Sequence, residues 1–165
     1  VNPVRSSEMK FSKNKTSNGV KIIIKNLQKR TPVNPTRIKK AALNVLSHAG
    51  RRNRWMNKSG EITICFLNDS QIRELNLFYL GDGRATDVIA FNSLGQAGEL
   101  IADIAVSTDT ARRNARIFKT TVASETYRYV IHGLLHILGY NDDNKRNSAI
   151  MRKKEDYLLT LFSKP

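Results

Sequence analysis

Cysteine is almost absent. Cys65 stands alone among 165 residues, so no intramolecular disulfide can form. It lies in the apolar run ITICFL, where a small buried thiol fits better than a nucleophile. No run reaches roughly 18 consecutive apolar residues, about the least that crosses a bilayer as a helix, and no secretory signal pattern is visible. Together these lacks point to a reducing, cytoplasmic setting without membrane insertion. Acidic residues are scarce as well: 14 Asp and Glu face 28 Lys and Arg, a formal net charge of +14. Such an imbalance favours a polyanionic partner, nucleic acid first and an anionic membrane surface second.

Histidine is rarer still, with three in the chain, and two of them share the stretch HGLLHILGYNDD from His132 to Asp143. Their spacing is close to one helical turn, so both imidazoles project from the same face. That suits two ligands of one metal ion, although such pairs also occur as plain surface or core residues. Gly139 is a helix-ending residue that tolerates a left-handed conformation. A reversal there can return Asn141, Asp142 or Asp143 toward the imidazoles, and the pattern H-x-x-x-H-x-x-G-x-x-D places Asp142 as third ligand. With two imidazoles and a carboxylate the expected cofactor is one divalent ion, Zn²⁺ or another late first-row metal. The spacing parallels that of zincin proteases, but Gly133 stands where they carry a glutamate base, which argues against peptide hydrolysis.

The remaining chain reads as one α/β domain over 18–165, preceded by a polar, basic tail at 1–17. About four strands in one mixed sheet and about five helices are expected. Strands are predicted at Val20–Ile24, Ile62–Leu67, Thr86–Phe91 and Leu100–Val106, the last two as an antiparallel hairpin. Helices are predicted at Pro35–His48, Asn68–Tyr79, Ser107–Ile117, Thr120–Leu138 and Asn144–Phe162. In the second of these, Ile72, Leu75 and Phe78 are expected to face inward. His48, at a helix C-terminus, reads as a cap rather than a ligand. Asp87 and Asp103 interrupt apolar strands and must either cap strand ends or face a polar cluster near the metal. Glu125 lies two turns before His132 on nearly the same face and is placed to orient a ligand or a water. Arg51, Arg52 and Arg54 share a basic loop with Trp55, which serves either base stacking or core packing. Arg112, Arg113 and Arg116 follow on the third helix as further phosphate-contact candidates.

These blocks carry a family resemblance. HGLLHILGYND is similar to the H-G-x-L-H-L-x-G-Y-D-H signature of the YbeY family. RATDVIAFN resembles that family's P-T-D-V-L-S-F-P block, and IADIAVS resembles its G-D-I-x-I-S strand. Glu125 before His132, and Met151 with Glu155, fit the rest of the pattern. The resemblance spans roughly residues 18–162. It implies a mixed sheet surrounded by helices, with a metal held at the signature helix. It also implies a metal-dependent endoribonuclease of ribosomal RNA maturation and ribosome quality control, acting with the small ribosomal subunit and its proteins. Two positions depart from the pattern. The third histidine is Asp142, after Asn141 in place of aspartate. The Tyr-Arg-Gly triplet is Tyr79-Leu80-Gly81, which leaves Arg84 as the candidate replacement cation. Glu125, Asp87 and Asp103 are the carboxylates available to assist hydrolysis. Leu80 and Asp142 keep open a second reading, a metal-containing RNA- or ribosome-binding factor with little turnover.

Overall fold

The computed structural model describes residues 19–49 and 59–161. The basic tail, the loop carrying Arg51, Arg52, Arg54 and Trp55, and Phe162 lie outside them. Nine elements follow in order among the described residues: β1 Val20–Asn26, α1 Pro35–Ala49, β2 Gly60–Leu67, α2 Asp69–Leu80, β3 Val88–Leu94, β4 Leu100–Ser107, α3 Thr108–Phe118, α4 Val122–Ile137 and α5 Lys145–Thr160. They make the expected mixed α/β arrangement, a single four-stranded sheet with five helices. The sheet order is β1-β2-β4-β3, with β1, β2 and β4 parallel and β3 antiparallel on the edge.

Register follows the β-branched pattern. Ile22, Ile62 and Ala102 align across the three parallel strands, and one pleat further Ile24, Ile64 and Ile104 do the same. These side chains point to one face, where α1 and α4 cover them. Ile38, Ala42 and Val45 of α1 and Val130, Ile131, Leu134 and Leu135 of α4 complete a single core. Both α3 and α5 also pack on α4, which makes it the most enclosed helix of the fold. Its own sequence explains this, because VIHGLL carries apolar residues nearly all round.

The opposite face of the sheet is only partly covered. Leu67, Ile89 and Ala105 meet Ile72 of α2 there. Phe78, expected inward, is instead 80% exposed. The inward positions of α2 are Ile72 and Asn76, and Asn76 donates from Nδ2 to the Arg84 carbonyl at 2.9 Å. The helix is rotated to make that polar tie, which periodicity of apolar residues alone does not reveal. Asn68 and Gln71 form a reciprocal capping box at its start. The β3 strand begins at Val88, two residues later than expected, because Asp87 Oδ1 accepts the Val88 N–H at 2.8 Å and caps the strand end. His48 behaves as read: its Nδ1 bonds the Asn44 carbonyl at 2.9 Å at the end of α1. Cys65 is half-buried, and burial pushes its thiol up, with Lys25 opposing and Asp103 adding to the shift. No helix among the described residues is long and apolar enough to cross a membrane.

Candidate metal centre

The C-terminal turn of α4 builds the site. Gly139 takes a left-handed φ of 91°, and its N–H bonds the His136 carbonyl at 2.9 Å while the Tyr140 N–H reaches back to Leu135 at 3.0 Å. This is a Schellman reversal, and it brings Asp142 back over the helix end. His132, His136 and Asp142 each offer a ligand atom, and the three atoms lie within 4.8 Å of one another. The Nε2 atoms of the two histidines are 2.9 Å apart. Asp142 carboxylate oxygens stand 3.7 Å from His132 Nε2 and 3.8 Å from His136 Nε2. In a tetrahedral site with bonds of about 2.0–2.1 Å, ligand atoms are about 3.3 Å apart. The triangle observed has those proportions. Of the two other candidates, Asp143 is occupied with Asn144 and Asn147, and Asn141 with Asp143.

The imidazole protons are held on the far side of each ring. His132 Nδ1 lies 2.6 Å from Glu155 Oε1, and His136 Nδ1 lies 3.1 Å from the Tyr140 carbonyl. Carbonyl and carboxylate are acceptors only, so each Nδ1 is the donor, and in the neutral rings each Nε2 keeps its lone pair. Two lone pairs then face each other at 2.9 Å with the Asp142 carboxylate beside them. Such a cluster is repulsive as neutral imidazoles and becomes favourable around a cation, so the donor set fits a divalent ion. Burial lowers the His132 pKa, but the Glu155 hydrogen bond and the charges of Glu155, Asp87 and Asp142 outweigh it and raise the net value. His136 is pushed down by burial and then by His132, against the pull of Asp142.

Glu155, a residue of the family pattern, is the carboxylate that grips a ligand. It is buried on α5 and also meets Arg128 at 3.3 Å. It lies one turn after the buried Met151 on the same face of α5. Glu125 does not take the part expected of it. It is buried at the start of α4, accepting from Thr120 Oγ1 at 2.6 Å, two helical turns from His132. Asp103 also falls elsewhere: it is exposed on the sheet face away from α4, because its neighbours Ala102 and Ile104 take the inward positions. Asp87 does reach the site electrostatically, since its charge contributes to the upward shift of His132. Arg84 lies outside the cleft that borders the metal ligands; its guanidinium is clamped by Asp82, whose carboxyl falls to about 2 under those hydrogen bonds. The arginine in the cleft is Arg152. It shares about 130 Å³ of space with His132, Asp142, Ser148, Met151 and Glu155. Nothing in the sequence singles it out, because only the packing of α5 on α4 brings it to the ligands.

Gly133 explains why no glutamate base is present. A Cβ there would sit 2.7 Å from Ile104 Cγ2 and 3.1 Å from Val88 Cγ2. The residue between the ligands faces the sheet, and the helix lies too close for any side chain.

Comparison with known proteins gives the family and the fold. A sequence model described as Endoribonuclease YbeY matches residues 23–163. A protein of that name from Syntrophus aciditrophicus is 36% identical over 148 residues, covering 86% of this chain and 89% of that one. Another of that name, from Flavobacterium psychrophilum, is 44% identical over 108 residues, covering 64% of this chain and 76% of that one. In fold, the chain is similar to a Thermotoga maritima protein solved in solution, with a TM-score of 0.55, 22% identity and coverage of 87% and 88%.

Proposed function

Because the chain belongs to the YbeY endoribonuclease family, we propose that it is a metal-dependent endoribonuclease of ribosomal RNA maturation. We place its work in ribosome quality control, with the small ribosomal subunit and its proteins as partners and the cytoplasm as its setting. The observation that carries the reading is the pair of Nε2 atoms 2.9 Å apart, each ring fixed by a proton acceptor on its other side and an Asp142 carboxylate beside both. His132, His136 and Asp142 hold the ion, for which Zn²⁺ suits the two imidazoles and one carboxylate. A bound divalent ion supplies Lewis acidity and a nucleophile usable at neutral pH.

The chain's own residues do the rest. Glu155 fixes the His132 tautomer and ring plane, and the Tyr140 carbonyl does the same for His136. Arg152, in the same cleft, places positive charge where a phosphodiester gains negative charge during cleavage. Asp87 has one oxygen engaged by Val88 and Thr86, which leaves the other to accept a proton. Residues 18–165 act as one domain in this reading, with 1–17 as an appended basic tail.

A specific observation supports a second reading. Leu80 is 62% exposed where the family pattern has arginine. A ribosome-bound factor with weak turnover would tolerate that change. Cleavage of a structured ribosomal RNA fragment by zinc-loaded protein separates the readings. Cleavage lost in both His132→Ala and His136→Ala supports the nuclease. Equal cleavage by all three proteins points to a contaminant and sinks it, whereas RNA binding without cleavage in any of them favours the second reading.

A further inference from the structure

A second cationic site lies at the C-terminal ends of the parallel strands. There a cleft of about 300 Å³ is lined by Arg30, Asp69, Asp109, Arg112, Arg113 and Arg116. Three segments build it: the turn after β1, the start of α2 and the exposed side of α3. The turn is held by buried Gln28, whose Oε1 accepts the N–H groups of Arg30 and Thr31 at 2.9 Å each. The outer ends of parallel strands, where helices begin, are a common place for anionic ligands in α/β sheets.

Its charges are not balanced. The Asp69 carboxylate takes Arg113 as an ion-pair partner and also accepts Ser107 Oγ at 2.7 Å and Thr110 Oγ1 at 3.0 Å. Asp109 accepts the Asp69 backbone N–H at 3.2 Å. Both carboxylates therefore serve the helix starts, and the helix dipoles are answered by them. Arg30, Arg112 and Arg116 have no ion-pair partner among the described residues. Four arginines against two carboxylates line one concave space, and three of the guanidiniums are outside any ion pair, which suits phosphate oxygens.

The cleft also shares a framework with the metal centre. The Ser107 N–H, at the foot of α3, bonds the Asp87 carbonyl at 2.8 Å. Asn114 Nδ2, on α3, donates to the Tyr129 hydroxyl of α4 at 2.7 Å, one turn before His132. Both sites thus sit at the same end of the sheet, bridged by α3 and α4.

We propose that the cleft of Arg30, Arg112 and Arg116 is a phosphate subsite that holds the RNA strand away from the scissile bond. This rests on the nuclease reading and deepens it. The test uses metal-free protein, so that binding is read without cleavage. Anisotropy of a labelled ribosomal RNA fragment is measured over a salt series for wild type and for Arg30→Gln/Arg112→Gln/Arg116→Gln. Loss of three contacts should weaken binding on the order of tenfold and reduce the log–log salt slope by about 2. The control removes equal charge from exposed positions of α1, as Arg37→Gln/Lys39→Gln/Lys40→Gln. Equal losses in the two triples, or no loss in the first, overturn the subsite. RNA binding unchanged in the first triple, with nucleoside diphosphate binding abolished, assigns the cleft to a free nucleotide and also overturns it. If the Arg30 change disturbs the Gln28 turn, Arg112→Gln/Arg116→Gln alone should still lower the slope by about 1.4. A slope change without zinc-dependent cleavage by wild type would overturn the nuclease reading and leave the subsite.

Discussion

At Gly133 a single methyl group decides whether α4 can lie on the sheet. The nearest obstacle is Ile104 Cγ2 at 2.7 Å, a branch atom close to the backbone that cannot swing away. Gly133→Ala should therefore destabilise by about 1–3 kcal/mol despite alanine's better helix propensity. A urea denaturation midpoint at or above wild type would contradict this close packing. Glu155→Gln keeps the shape of the ligand support and removes its charge. Zinc affinity by chelator competition should drop about 10–100-fold, while the same change at exposed Asp156 should leave it nearly unaltered. The two histidines were readable as a candidate pair from spacing together with the glycine turn, which also offered Asp142 as the third ligand. The grip of Glu155 on His132 and the place of Arg152 were not, because both residues come from another helix, and only tertiary packing says which face of α5 meets α4.

The helices and strands themselves were largely legible, since every one is bounded by a cap or a turn residue the sequence displays. Asn68, Ser107, Thr121 and Asn144 each accept a backbone N–H at the start of their helix. What failed was orientation: Phe78 was turned outward by the Asn76 tie, and Asp103 took the open face of the sheet. The junction of α2 and α3 gives a pH prediction. Burial pushes Asp69 up, but hydrogen bonds from Arg113, Ser107 and Thr110 outweigh it and hold its carboxyl below the usual range. A depressed folded value means stability present above the unfolded pKa of about 3.9. That contribution is lost as pH falls through the folded value. Asp69→Asn should flatten the acid limb of stability below about pH 4, read as urea midpoints across that range; an unchanged limb would rule out this junction as its source. At the α4–α5 turn, metal removal should act locally. Chelation should raise amide exchange around Gly139–Asp142 more than in β2, because the ion joins the helix end to the loop. Uniform deprotection would contradict a local clip.

Over the whole molecule, the +14 charge makes association with RNA a salt-controlled property. About six phosphate contacts would lose roughly 10³-fold in affinity between about 50 and 200 mM salt. Filter binding that is flat across that range would remove polyelectrolyte attraction as the main term. The strand order β1-β2-β4-β3 has a consequence for how the chain is made. Strand β2 pairs with β1 on one side, but its other partner is the last strand of the sheet to be synthesised. Until Leu100–Ser107 leaves the ribosome, Gly60–Leu67 carries an open hydrogen-bonding edge, a template for wrong pairing. The β3–β4 hairpin, closed by the short Gly95–Glu99 loop, can form first and dock as a unit on that edge. Chains stalled with β4 still inside the exit tunnel should be cut by protease within β2 more readily than chains long enough to expose Ser107, and equal cutting of both would contradict this order of pairing.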